Sequence, residues 1–143
     1  MRFGRGTVGL TFTVAIFLAL ASAPGRAHHS FAPYEPTIQI KLSGVVTNFK
    51  WGNPHVYLEM DAPDPKTGEK KHWLVECAST SILNRAGWKF NMIKAGDELT
   101  VVVAPLRTGE PGALLKQVKL PDGRVFGNGG PAGMPNIPID PPQ

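Results

Sequence analysis

The sequence predicts an all-β domain: a small five-stranded barrel with one short helix between its third and fourth strands. Three observations lead there. Apolar and polar residues alternate over short segments instead of recurring at helical spacing. Turns marked by Gly, Pro, Asn and Asp separate those segments. One stretch, Ser79 to Gly87, carries the start and stop signals of a helix. The chain has 143 residues, which suits a single domain, and its 42% hydrophobic content suffices for one modest core.

The first strand starts at Thr37, with Ile38, Ile40 and Leu42 on one face and Gln39 and Lys41 on the other. After Ser43-Gly44 the apolar set becomes Val45, Phe49 and Trp51, which predicts a bulge at Gly44 that bends a long strand. Trp51-Gly52-Asn53-Pro54-His55 follows as the central turn. Gly and Asn tolerate positive φ there, while Pro holds Asn53 out of the helical region. The second strand, His55 to Met60, sends Val56, Leu58 and Met60 inward and His55, Tyr57 and Glu59 outward. Asp61 to Gly68 is a polar loop, and Lys71 to Cys77 is a third strand with Trp73, Val75 and Cys77 inward. A hairpin symmetric about that loop sets His55 opposite Glu76 and Glu59 opposite His72. A one-residue slip would turn all four to the other face.

Ser79-Thr80-Ser81 supplies N-caps for Ile82, Leu83 and Ala86, and Gly87 ends the helix. Lys94-Ala95-Gly96-Asp97 turns into a fourth strand, Leu99 to Val103. Ala113 to Leu120 forms a fifth, and Pro121-Asp122-Gly123 turns before Val125 and Phe126. Residues 127–143 are rich in Gly and Pro without periodicity and read as a disordered tail. The order β-β-β-α-β-β with a bent first strand is that of an OB-like barrel, in which the second and third strands commonly form the binding face. An immunoglobulin-like sandwich is the alternative, disfavoured by the helix and the small number of strands.

The N-terminus has a different design. Arg2 and Arg5 precede an apolar run from Val8 to Ala23, the layout of a secretory signal and short for a membrane span. Two small-residue sites compete for cleavage, after Ala23 and after Ala27. Proline as the first mature residue disfavours the former, so residues 1–27 are assigned to the signal, 28–36 to an arm and 37–126 to the barrel. Removing Arg2, Arg5 and Arg26 leaves 12 basic residues against 11 acidic, from 15 against 11 in the whole chain. The basic excess is therefore mainly a targeting feature, and with no basic stripe among aromatics nucleic acid is not an expected partner. A periplasmic or secreted setting follows, with no stable membrane anchor after cleavage and with a small ligand or a periplasmic protein as partner. Cys77 is the one cysteine, so no intramolecular disulfide forms, and its strand parity makes it a buried hydrophobe.

Four histidines carry the chemistry worth weighing. Cleavage after Ala27 would free an α-amine beside the His28 imidazole, and His29, His55 and Glu76 could complete a nitrogen-rich site of the kind Cu(II) prefers. Adjacent histidines at a terminus are often only solvated, and a hydrogen bond to a neighbouring strand or carboxylate also accounts for His55 after Asn-Pro. Trp51, Asn53, Tyr57, Glu59 and His72 are the candidate binding face. No nucleophile motif, phosphate loop or His-Glu-x-x-His pattern points to an enzyme.

His28-His29-Ser30-Phe31-Ala32, Trp51-Gly52-Asn53-Pro54-His55, Trp73-Leu74-Val75-Glu76 and Lys94-Ala95-Gly96-Asp97 together resemble a family of small exported bacterial proteins classed as a domain of unknown function. The resemblance spans nearly all of the mature chain. It implies export and one compact domain, and no activity.

Overall fold

Alternation becomes strand, and each inward set becomes core. The computed structural model describes residues 33–129 and 138–140. Its elements are β1 (Ile40–Lys50), β2 (Tyr57–Pro63), β3 (Lys70–Glu76), α1 (Thr80–Arg85), β4 (Glu98–Pro105), β5 (Gly112–Lys119) and β6 (Val125–Gly127). Antiparallel pairing joins β3-β2-β1-β4-β5, and a parallel pairing of β3 with β5 closes the sheet into a five-stranded OB-like barrel. The sixth strand, built from the expected Val125 and Phe126, adds antiparallel to the far end of β5. Closure leaves the five barrel strands without an unpaired edge between β3 and β5.

The core is what the parities of β2 and β3 require. Val56, Leu58, Met60, Trp73, Val75 and Cys77 are all buried in one cluster with Leu83, Trp88, Leu99, Val101 and Leu115. Each large side chain so buried contributes about 1.5–3 kcal/mol. The helix ends as its glycine demands: Gly87 has φ +90°, its N–H bonds to Asn84 O, and the Trp88 N–H reaches back to Leu83 O at 3.0 Å. Ser79 is the N-cap, without a side-chain cap bond. Leu83 is the buried side chain of α1 and anchors it to the core.

Three local expectations are corrected. The bulge of β1 lies between Val46 and Asn48, not at Gly44, so Leu42, Gly44 and Val46 keep one inward parity and Val45 is 42% exposed. Gly44 has another role: it sits where β1 changes partner, opposite Leu99 of β4 and beside Ala62 of β2. The central turn uses no positive φ at Gly52 or Asn53, and its Asn53-Pro54 peptide is cis. The β2–β3 hairpin pairs Tyr57 with Glu76, Glu59 with Leu74 and Asp61 with His72, two residues out of the expected register. A two-residue slip keeps every side chain on its face, so the outward set survives with new neighbours. The slip arises because β2 runs on to Pro63 through residues whose Asp and Pro read as loop.

The signal segment 1–27 and the arm up to residue 32 lie outside the described residues, as do 130–137 and 141–143. The stretch 127–143 read as a tail is not uniform. Gly127 ends β6, Asn128 is buried with its side chain accepting the Ala78 N–H, and Ile139 is 8% exposed.

Candidate functional site

Glu76 is the last residue of β3 and faces outward beside Tyr57, its cross-strand partner. The ladder continues past the strand ends, since Val56 exchanges backbone bonds with Cys77 and Ala78. This places His55 one step diagonal to Glu76. Its Nδ1 is buried 2.6 Å from Glu76 Oε1, an approach of ion-pair length. The other carboxylate oxygen, Oε2, accepts the Tyr34 hydroxyl at 2.6 Å. Tyr34 is held from below by a β-bridge to Leu106 and by packing on Ala104 and Leu114. The His55 and Glu76 side chains retain 25% and 21% exposure, so the cluster sits at the rim of the barrel, half in solvent.

Burial and the Glu76 carboxylate together set the electrostatics. Burial first, then the hydrogen bond to Glu76, pushes the Tyr34 phenol well above its usual range. Burial followed by the Glu76 charge raises the Tyr57 phenol and pushes the Cys77 thiol, whose side chain points into the core, well up. The Tyr34 phenol and the His55 imidazole thus meet at one carboxylate, while the Cys77 thiol lies on the core side of the same strand end.

A consequence for stability follows directly. Each of these groups has its folded pKa raised, so the unfolded chain releases the proton first as pH rises. Their stabilisation is complete below about pH 9 and is lost above it, at about 1.4 kcal/mol per pH unit for each proton. Denaturant midpoints measured from pH 8 to 11 will fall along that slope. In Cys77→Ala the decline will be shallower and will start nearer the tyrosine range; parallel curves for the two proteins would refute the assignment.

A second outward cluster lies farther along the same face. His72 donates or accepts at both ring nitrogens, with Nδ1 2.9 Å from Asp61 Oδ1 and Nε2 3.3 Å from Glu59 Oε2. Lys70 Nζ is 3.2 Å from Asp61 Oδ2, and Asn48 donates to Glu59. The hydrogen bond to Asp61 chiefly raises the His72 pKa, and the same bond holds Asp61 below the usual carboxylate range.

The expected site residues therefore divide. His55 and Glu76 come together, as do Glu59 and His72, though in each case diagonally or around a ring and not face to face. Trp51 leaves the face: it tilts against Phe49 at 5.8 Å and packs on the core. Asn53 accepts the Thr80 hydroxyl at 2.9 Å and so ties the turn to the start of α1. His28 and His29 lie outside the described residues. Among the described residues no three His, Cys, Asp or Glu side chains come together as a metal set. Tyr34 and Asp61 were missed. The first stood in an arm without periodicity; the second was assigned to the loop that β2 absorbs.

Fold and site together define a small OB-like β-barrel with a carboxylate-centred cluster at its rim. The chain belongs to the family of unknown function DUF6152, whose model matches residues 15–115. No curated protein matches it. Among solved structures it is similar to a mitochondrial single-stranded DNA binding protein from S. cerevisiae, at 10% identity and a TM-score of 0.43, covering 59% of this chain and 93% of that one. The strand pairings, not this likeness, establish the barrel.

Proposed function

We propose that this is an exported binding protein that takes up Cu(II) at the barrel rim, with His55 as the barrel's ligand and His28 and His29 supplying further nitrogens. The observation that carries the reading is the grip of Glu76 on His55 Nδ1, with Glu76 itself fixed by Tyr34. Metal-ligating histidines are oriented in this way, through a carboxylate on the ring nitrogen that does not bind the metal. The donor chemistry fits Cu(II) only in part: the described residues provide one imidazole and its carboxylate, so the remaining ligands must come from the N-terminal arm. Tyr34, itself an arm residue, belongs to the cluster, and His29 is five residues before it in the sequence. Cleavage after Ala27 would add the α-amine of His28 to the set.

Calorimetric titration of CuCl₂ into the mature chain beginning at His28, near pH 7.4, tests this. One equivalent is expected to bind. Glu76→Gln should weaken binding about 10- to 100-fold through loss of the orienting carboxylate, and His55→Ala should weaken it at least as much. Uptake indifferent to His55→Ala would confine the metal to the chain start and end the proposal for the barrel rim.

A metal-free interaction module is the second reading, favoured by two bonds. Asn53 is committed to Thr80, and both Glu76 oxygens are engaged within the protein. On that reading the His55 cluster locks the turn, and the outer face of β2 and β3 meets a protein partner. The absence of any copper uptake, with the His55→Ala protein markedly less stable, would select it.

A further inference from the structure

On β4, one burial is out of place. Val101 and Val103 of β4 face the core, so Val102 between them faces outward, yet its exposure is 0%. Its cross-strand neighbours are Lys41 of β1 and Gln117 of β5. The Lys41 ammonium donates to the backbone carbonyl of Ile139, and Lys119 of β5 pairs with the Asp140 carboxylate. Ile139, far along the chain in a segment rich in proline, is itself buried. These contacts bring Pro138 to Asp140 to the outer faces of β1 and β5, the two strands that flank Val102.

The segment does not fill the face. A groove of about 300 Å³ remains beside it, lined by Lys41, Ser43, Thr100 and Lys119 with Ile139 and Asp140. Ser43 and Thr100 share a hydroxyl hydrogen bond on its floor, and apart from the segment's own Asp140 the lining carries two lysines against one carboxylate, Glu98. The recognition elements are thus an apolar step, an ammonium that reads a main-chain carbonyl and an ammonium that reads an acidic side chain. Those are the features of a site for an extended peptide, in which backbone contacts give affinity and two side chains give selectivity.

We propose that this face is a peptide-docking site for an extended apolar-acidic segment, Ile-Asp in sequence, and that the chain's own Pro138 to Asp140 occupies it in cis. The contacts are few, and the Lys119–Asp140 pair is half-exposed, so the intrinsic affinity is low. Covalent attachment through the eight residues 130–137 offsets this, because a short link gives an effective concentration in the millimolar range. A partner protein bearing the same pair of residues gains the site only by displacing the strap, and strap residues thereby set the threshold for binding. This site shares no residue with the His55 cluster, so copper uptake and peptide docking succeed or fail separately.

The test uses the full chain and a fluorescent peptide matching residues 135–143. The double variant Ile139→Asp/Asp140→Lys, which releases the strap, should bind the peptide saturably by fluorescence anisotropy. The wild-type chain, with its face occupied, should bind about tenfold or more weaker. Adding Lys119→Glu to the released variant should abolish binding, and a peptide carrying Lys in place of its Asp should restore it. Equal binding by wild type and released variant, or indifference to Lys119→Glu, would overturn the proposal. A measurement on the unmodified chain stands apart from how the variants fold: methyl NOEs between Ile139 and Val102 are expected in solution, and their absence would overturn it too.

Discussion

Gly44→Val is expected to cost about 3 kcal/mol or more, lowering the melting temperature by roughly 12 °C or more for a domain of this size. The cause is backbone proximity, not conformation. A Cβ at Gly44 would lie 2.1 Å from the Asp61 carbonyl oxygen and 2.9 Å from Ala62 Cα. Neither atom belongs to a side chain that could swing away. Relief would require β1 and β2 to part where β1 leaves β4 for β2, at the pairs Gly44–Leu99 and Val45–Asp61. Gly44→Ala meets the same contacts, and the loss of unfolded-state freedom that favours alanine, about 0.4–1 kcal/mol, is too small to offset them. Gly52→Ala is the control. No atom lies within 4 Å of a Cβ there and its φ is ordinary, so urea midpoints should be unchanged or slightly raised. If Gly44→Val and Gly52→Ala gave similar midpoints, β1 would not approach β2 at Gly44 as the strand pairings place it.

Gly44 also shows how far the sequence could be read. A glycine between two apolar runs signals that the backbone does something there, and the bend of β1 was legible for that reason. Which of two glycine roles applies, bulge or close approach, depends on a partner strand that alternation does not name. The bulge falls instead at Thr47, a residue without any local mark. The insides of β2 and β3 were readable because parity is a property of one strand alone: Val56, Leu58 and Met60 against Trp73, Val75 and Cys77. Register is a property of two strands and a loop. Asp61 to Pro63 look like turn residues but pair with Lys70 to His72, and this moved Glu76 from opposite His55 to opposite Tyr57.

The candidate site was legible to the same depth. Because side chains alternate with period two, His55 and Glu76 were assigned to one face correctly even with the pairing two residues out, and diagonal reach did the rest. Tyr34 could not be found that way. It enters through a single bridge to Leu106, contributed by a segment with too few residues to show a period. Nor could the strap at Ile139, where two contacts to lysines far away in sequence decide the position and the local composition suggests only tail.

Trp88→Ala should destabilise the barrel by about 3–5 kcal/mol, a large part of what a domain this size possesses. Trp88 is a fully buried residue and among the largest in the core. Its ring stacks on Phe49 of β1 at 6.4 Å and meets the edge of Phe126 in β6 at 6.0 Å. Its indole N–H donates to Gly127 O at 2.9 Å. One side chain thus binds the helix exit, the bent strand and the added sixth strand. Trp88→Phe separates these contributions: it keeps most of the apolar volume but loses the hydrogen bond to the exposed Gly127 carbonyl, at a cost of about 0.5–1.5 kcal/mol. Amide exchange should distinguish the two variants further. In Trp88→Phe, protection is expected to fall first at Asn128, whose N–H bonds to Lys116 O at the β6 margin, while amides of β2 and β3 keep theirs. In Trp88→Ala, protection should fall throughout the core, because the cavity opens between β1 and β6 together. If Trp88→Phe loosened β2 and β3 as much as β6, the indole hydrogen bond would be holding more than the sixth strand, and the stacking on Phe49 would be the weaker link.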